Sequence, residues 1–229
     1  MATAPHTSVT ARWARAPFYF NSSSHLLRIS RDKATNLEEL LHALQKCNDG
    51  CVFQHMFQTL EEHHFIREGF SNDFSQWAFA ACNEVALAER LAALDVRDFT
   101  SVAAMRLRLV EILTAYLEKN PRVATRTAME PFYLMAADQV VVPTPYVARN
   151  LEEFLDGLRK VSVHSIYYHF IGARLRLKLN TNDFSAWLEE ELDMGSAADR
   201  LNRIDIYTST LDGVRRSIQR IIESEMSRP

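Results

Sequence analysis

The amino-acid sequence predicts an all-α protein: two tandem copies of a four- to five-helix unit, each preceded by a short extended segment. Three observations lead to this prediction. Glycine and proline are scarce, with 6 and 7 residues in a chain of 229, whereas sheet-rich folds need many tight turns. Apolar residues recur at helical spacing along most of the chain. Finally, several short phrases occur twice in the same order, which is typical of an internal duplication.

The repeated phrases fall into two groups that differ in their spacing. The first group is repeated at an offset of 114 residues, and the second at an offset of 110 residues. The phrases are Pro-Phe-Tyr at 17–19 and 131–133, Asn-Leu-Glu-Glu at 36–39 and 150–153, and Asn-Asp-Phe-Ser at 72–75 and 182–185.

The duplication defines the expected domain organisation. We expect a disordered tail over 1–15, copy one over 16–120, a linker over 121–129 and copy two over 130–226. Both copies should have the same helix order. We also expect approximate twofold symmetry between them, because equivalent apolar patches can then cover each other.

Each copy begins with a segment that is not helical. In copy two, residues 140–145 read Val-Val-Val-Pro-Thr-Pro, and the two prolines exclude a helix. The first helix follows. Asn36 and Asn150 each stand three residues before a glutamate, which is the pattern of an N-cap with a returning carboxylate.

The second helix is predicted over residues 51–66 in copy one and 163–177 in copy two. It carries His55 and His169, the histidine pair that the duplication preserves. After the third helix, Asp-Met-Gly-Ser at 193–196 predicts a break, whereas the matching Asn-Glu of copy one predicts a kink.

The third helix begins at the repeated Asn-Asp phrase. Asp73 and Asp183 are expected to cap it by accepting hydrogen bonds from its free amide groups. Trp77 and Trp187 follow four residues later, close enough on a helix to enter the same core. We therefore expect both tryptophans to be buried in their own copies.

The two histidines have a structural and a functional interpretation. Each lies among apolar side chains, where a neutral imidazole needs a hydrogen-bond partner, so we expect a buried ring bonded within its own copy. The alternative places both rings in one ligand-binding or catalytic pocket between the copies. Glu61 and His64 have the Glu-x-x-His spacing of carboxylate-bridged metal sites, but copy two lacks the second motif. The sequence therefore predicts no metal site.

Other chemical signals are weak. The acids Asp73 and Asp183 would serve acid–base catalysis only if they met in one cleft. Tyr167, Tyr168 and Trp187 could stack on a sugar, but buried aromatic residues at helical spacing are more frequent. There is no glycine-rich phosphate loop, dinucleotide fingerprint or nucleophile elbow. The sequence predicts no catalytic residue and no cofactor.

Composition excludes further classes. The net charge of −3 provides no basic field for a nucleic acid, and no stretch is apolar enough for a membrane span. The cysteines Cys47, Cys51 and Cys82 lie in copy one, and Cys47 and Cys51 lack the two-residue gap of a zinc or redox pair. We interpret all three as thiols of a cytoplasmic protein.

The repeated phrases also resemble a known family. Asn-Leu-Glu-Glu-Phe-Leu at 150–155, Ser-Ile-Tyr-Tyr-His-Phe at 165–170 and Asn-Asp-Phe-Ser-Ala-Trp at 182–187 are similar to a prokaryotic family of helical proteins, domain of unknown function (DUF) 5752. The resemblance covers both copies and is closer in copy two. It implies a bacterial helical protein with a link to carbohydrate metabolism, and it implies no catalytic residues.

Together these observations favour a non-catalytic helical interaction module, accessory to carbohydrate metabolism. Its expected partner is a protein, with a carbohydrate-active enzyme as one candidate and a homo-oligomer as another. The alternative is a small-molecule-binding protein or enzyme whose pocket lies around His55 and His169. Neither nucleic acid nor membrane is an expected partner.

Overall fold

The computed structural model describes residues 12–62, 70–173 and 181–227. The described chain is mostly helical, but two long strands, β1 (Phe18–Ala34) and β2 (Phe132–Ala148), pair in an antiparallel two-stranded sheet. The prediction of a strictly all-α fold was therefore wrong. The expected short extended segments are strands of 17 residues each, and pairing with each other satisfies the backbone groups that face the other strand.

Helices follow each strand. Between β1 and β2 lie α1 (Leu37–Lys46), α2 (Asp49–Glu62), α3 (Asp73–Ala80), α4 (Val85–Ala92), α5 (Val102–Lys119) and α6 (Pro121–Ala124). After β2 come α7 (Leu151–Lys160), α8 (Val163–Ile166), a π-helical continuation of α8 (Tyr167–Gly172), α9 (Asp183–Leu192), α10 (Gly195–Asn202) and α11 (Leu211–Met226). The predicted linker thus contains the short helix α6, which opens on a proline at a position that suits it.

The chain forms two compact units that cut across the segments expected from the repeats. The continuous unit is His25–Val140, and the discontinuous unit combines the described residues up to Ser24 with those from Val141 onward. Each strand therefore begins in one unit and ends in the other. Residues 18–24 belong with the helices of the second half of the chain, and residues 132–140 with those of the first half.

The start of β1 supplies core residues to the discontinuous unit. Phe18 and Phe20 are buried while Tyr19 between them is 59% exposed, which is the alternation of a strand with one covered face. The Phe20 ring lies 5.5 Å from that of Phe154 on α7. It also lies against Gly157, where an added Cβ would overlap the ring. The absence of a side chain at residue 157 therefore lets the strand approach α7.

The start of β2 has the same role in the continuous unit. Phe132 and Leu134 are buried while Tyr133 is 55% exposed. Phe132 lies against α3, with its ring 5.3 Å from that of Phe74 in a stacked arrangement and 5.6 Å from Trp77. The core of each unit is thus closed by a strand that is distant in sequence from most of its helices.

The predicted helix starts at α1 and α7 are confirmed. The Asn36 side chain accepts a hydrogen bond from the Glu39 amide at 2.9 Å, and Asn150 accepts one from Glu153 at the same distance. The returning carboxylate of Glu39 accepts from the backbone amide of Thr35, one residue before the cap. Side-chain oxygens therefore satisfy amides that the helix leaves free.

The breaks after α3 and α9 use left-handed backbone. Asn83 and Asp193 have φ values of 55° and 57°, a region in which asparagine and aspartate are enriched. The break at residue 193 was predicted. The predicted kink at residue 83 is instead a complete break, because α3 ends at Ala80 and α4 starts at Val85.

Some predictions fall partly outside the described residues. These are most of the 1–15 tail, His64 of the Glu-x-x-His motif, and the ends of the second helices beyond residues 62 and 173. Within the described part of the chain, no helix has the length and apolar character needed to cross a membrane.

Candidate functional site

His55 on α2 joins three elements of the continuous unit. Its Nδ1 lies 2.8 Å from the Asp73 carboxylate at the start of α3, and its Nε2 lies 3.0 Å from the backbone nitrogen of Met135 on β2. A backbone N–H can only donate, so Nε2 accepts and Nδ1 carries the proton that is donated to Asp73. The ring is therefore neutral and fixed in one tautomer.

His169 makes the same bonds in the discontinuous unit. Its Nδ1 lies 2.7 Å from the Asp183 carboxylate, and the backbone amide of Asn21 on β1 donates to Nε2 at 2.8 Å. The Ser165 hydroxyl, one turn earlier, donates to the Asn21 carbonyl at 2.7 Å. The strand is thus bonded to the helix through both its amide and its carbonyl at one residue. We call each His–Asp–strand-amide arrangement a histidine bridge.

Each aspartate is available to its histidine because a neighbouring residue caps the helix. We expected Asp73 and Asp183 to be the N-caps, and this was wrong by one position. Asn72 and Asn182 accept the amide hydrogen bonds at 2.9 and 3.0 Å. The aspartates are the first residues of α3 and α9, where a negative charge is favoured by the helix dipole.

Both imidazoles are enclosed by aromatic rings. His55 and His169 are 2% and 3% exposed. The Phe132 ring lies 4.6 Å from His55, and the Phe18 ring lies 4.8 Å from His169. A neutral ring with both nitrogens hydrogen-bonded avoids most of the desolvation penalty of such a site.

His169 lies in the π-helical segment Tyr167–Gly172 that continues α8, whereas α2 runs through His55 as a regular α-helix. Tyr167 and Tyr168, the candidate sugar-stacking residues, belong to the same segment and are buried. Helical periodicity in the sequence does not distinguish a π-helical turn from an α-helical one. The predicted helix was therefore placed correctly, but its π-helical form was not foreseen.

The two tryptophans attach each strand at a second point. Trp77 and Trp187 are 8% and 7% exposed. Trp77 donates from Nε1 to the Glu130 carbonyl at 2.8 Å, just before β2, and Trp187 donates to the Ala16 carbonyl at 2.9 Å, just before β1. Both tryptophans therefore lie in a core, and their polar edges hold the chain that leads into a strand.

The structure thus brings the candidate residues together in two separate sets. Each set lies within one unit: His55, Asp73 and Trp77 in the continuous unit, and His169, Asp183, Trp187, Tyr167 and Tyr168 in the discontinuous unit. Sequence reasoning missed the amides of Asn21 and Met135. They are separated by 114 residues, the offset of the histidine pair, and this was the signal that could have revealed them.

The hydrogen bonds of the two histidine bridges hold their rings in place. Each ring nitrogen is hydrogen-bonded to the protein, and the side chains of Asp73 and Asp183 are 35% and 16% exposed. Among the described residues, no group of three or more His, Cys, Asp or Glu side chains is arranged to hold a metal ion. The arrangement can position a strand against two helices.

Comparison with known proteins agrees with the resemblance seen in the repeated phrases. Residues 15–223 match a family described as "Family of unknown function (DUF5752)". The chain belongs to this family. The match spans both units, so the DUF5752 fold includes both strands and the helices that follow each of them.

One solved structure is similar over nearly the whole chain. It is described as the structure of OrfY from Thermoproteus tenax, with 29% sequence identity and a TM-score of 0.82. The similarity covers 94% of this chain and 98% of that one. Comparison with curated proteins gives no match.

We expect His55→Gln and His169→Gln to destabilise the protein. Each substitution removes a buried ring and disturbs two hydrogen bonds, and a buried group left unpaired costs about 1–3 kcal/mol. Denaturant unfolding followed by circular dichroism measures the loss. The exposed His42 on α1 provides the control, since His42→Gln should change little. Metal analysis accompanies these measurements, and stoichiometric zinc or iron lost from both bridge variants would contradict the structural interpretation.

Proposed function

We propose that this DUF5752 chain is a non-catalytic, protein-binding module that acts in the cytoplasm. Its histidine bridges support this proposal, because the titratable groups that the repeats preserve are engaged in holding strands against helices. The alternative of an enzyme or small-molecule-binding site around His55 and His169 needs a ring nitrogen to contact a ligand, and each of these nitrogens already has a protein partner.

The observation that carries the proposal is the exposure of apolar side chains on the sheet. Val141 and Val142 are consecutive on β2 in the discontinuous unit and are 46% and 44% exposed. Consecutive residues of a strand point to opposite faces. Both faces of β2 are therefore apolar and accessible at these residues. A protein partner that covers them would remove this surface from water, which is a favourable change.

The partner is a protein rather than a nucleic acid, since the net charge is −3 and apolar side chains form neither ion pairs nor hydrogen bonds with phosphate groups. A carbohydrate-active enzyme is the partner class that the family resemblance suggests, which would make the module an accessory of bacterial carbohydrate metabolism. A second copy of this chain, bound through the same residues, is the competing occupant of this surface.

We further infer that the chain arose by tandem duplication within a prokaryotic family. The two histidine bridges and the two tryptophan bonds support the inference, because equivalent residues of the repeats make equivalent contacts. The same helix order and the approximate twofold arrangement of the copies stay predictions. Superposition of residues 16–120 on residues 130–226 in a structure of the whole chain would test them.

A change on the sheet should weaken partner binding without altering the fold. We expect Val141→Ser combined with Val142→Ser to raise the dissociation constant of a purified partner by about tenfold or more, since contacts at an interface centre can each exceed 1 kcal/mol. The partner is first identified by co-purification with the tagged chain and then titrated calorimetrically. Leu107→Ser on α5, where the native leucine is 63% exposed, is the control.

Two results would contradict this proposal. One is unchanged affinity of the double variant for every purified partner. The other is turnover of a small molecule by the purified chain that is lost in the His55→Gln or His169→Gln variant. Analytical ultracentrifugation of the wild-type chain distinguishes self-association, which the double variant should also reduce, from binding of a different protein.

A further inference from the structure

A cavity of about 510 Å³ lies within the continuous unit, between the α1–α2 turn and the start of β2. The sulfur-bearing side chains of Cys47 and Cys51 line it together with His42 and Lys46. Its apolar wall comes from Leu134 and the residues that follow it on β2. Neither Val141 nor Val142 lines this cavity, and Met135 is the member of a histidine bridge that does.

Cys47 and Cys51 line the same cavity. Cys47 is the C-cap of α1 and has extended backbone, while Cys51 lies in the first turns of α2. The chain turns between them, and Asn48 fixes the turn by accepting from the Cys51 amide at 3.0 Å. A spacing of four residues, which the sequence did not mark as a redox pair, thus places two thiols at one cavity.

The surroundings of Cys47 favour its thiolate. The neighbouring Cys51 thiol lowers the pKa of Cys47 most strongly, the nearby Arg106 guanidinium also lowers it, and burial opposes both effects. Arg106 is held in place by donating to the Cys47 carbonyl at 2.5 Å and by an ion pair with Asp49 at 3.3 Å. A contact of 3.6 Å with the Leu44 carbonyl favours the thiol form, but sulfur is a weak donor.

Cys51 and Cys82 have the opposite character. The neighbouring Cys47 thiol and burial both raise the pKa of Cys51, so Cys51 keeps its proton while Cys47 reacts. Burial raises the pKa of Cys82 to about 12. Cys47 is therefore a half-buried thiol that favours the thiolate, and Cys51 is its protonated neighbour. The buried Cys82 serves as an internal reference.

We propose that Cys47 is a site of oxidation by hydroperoxides and that Cys51 is its resolving partner. The Cys47 thiolate attacks the terminal oxygen of the hydroperoxide, the O–O bond breaks, and the leaving alkoxide or hydroxide takes up a proton. Cys47 becomes a sulfenic acid. The Cys51 sulfur then attacks the Cys47 sulfur, an S–S bond forms, and the sulfenic oxygen leaves as water with the Cys51 proton. The hydroperoxide gains the two electrons that the two thiols lose.

The test measures each cysteine in the folded, full-length chain. Maleimide labelling followed by peptide mass spectrometry should modify Cys47 about tenfold or more faster than Cys82, since the thiolate is the reactive form. Hydrogen peroxide or tert-butyl hydroperoxide should then produce a Cys47–Cys51 disulfide that dithiothreitol reverses. Oxidation by the bulkier reagent as well would show that the cavity admits organic hydroperoxides.

Point variants test the assigned roles. In Cys51→Ser, dimedone should trap the sulfenic acid on Cys47, and in Cys47→Ser no adduct should form on Cys51. Arg106→Gln should slow labelling of Cys47 but leave Cys82 unchanged. Circular dichroism verifies the fold of each variant. Equal labelling of Cys47 and Cys82, or the absence of the disulfide after hydroperoxide treatment of the folded chain, would overturn the proposal.

Discussion

Trp187→Ala should lower the free energy of unfolding by about 3–5 kcal/mol, the range for removing a large buried aromatic side chain. The Trp187 ring is 7% exposed and stacks on Phe154 at 5.1 Å between ring centres. The substitution also removes the hydrogen bond to the Ala16 carbonyl. Guanidinium unfolding followed by far-UV circular dichroism measures the change, and Trp77→Ala in the other unit should have a similar effect.

The control for this experiment is Trp13, which belongs to the same unit and is 65% exposed. Trp13→Ala should change the free energy of unfolding by no more than about 0.5 kcal/mol, as is usual for an exposed side chain. If Trp187→Ala left the unfolding midpoint unchanged but abolished binding to a partner, the tryptophan would be a recognition residue rather than a core residue.

Phe20→Ala should destabilise helices that are more than a hundred residues away in sequence. The Phe20 side chain is fully buried, and its ring lies 4.8 Å from Phe18 and 5.5 Å from Phe154. Removing a phenylalanine from such a core costs about 3–5 kcal/mol. Hydrogen–deuterium exchange should therefore increase in α7 and α9, and peptides from α1 and α3 should be less affected.

Phe132→Ala is the matched variant, because Phe132 packs on His55, Phe74 and Trp77 in the continuous unit. Its exchange pattern should be the reverse, with the increase in α2 and α3, which carry these contacts. The sequence segments alone would assign Phe20 to the helices that follow it directly. If Phe20→Ala increased exchange chiefly in α1 and α3, the division of the chain into the continuous and discontinuous units would be wrong.

The helix starts were predictable because capping is a local interaction. Asn36 and Asn150 lie three residues before the amides that they accept from, so the sequence contains both partners. The same logic failed by one residue at α3 and α9. Asparagine and aspartate are adjacent there and both can cap, and the choice depends on the histidine that bonds the aspartate from another helix.

The sequence predicted one of the two hydrogen-bond partners in each histidine bridge. An apolar helix with one histidine predicts a buried ring bonded within its own copy, and Asp73 and Asp183 fit this expectation. The second partner of each ring lies in the other copy, so the expectation was wrong for Nε2. The amides of Asn21 and Met135 were not predictable, since every residue except proline has such an amide and nothing in the sequence marks the one that meets the ring. The cavity that Cys47 and Cys51 share was missed for a similar reason, because the turn between two helices and the start of β2 together form it.

By itself, the sequence determined the helical character of the chain, most helix starts, the burial of both tryptophans and the family. These depend on the spacing of apolar residues and on contacts within a few positions. The tertiary structure decided which strand closes which core, and it decided that the two extended segments pair as a sheet. An alternating Phe-Tyr-Phe phrase fits any apolar groove of the right width, so only the packing of the complete chain selects the groove that it fills.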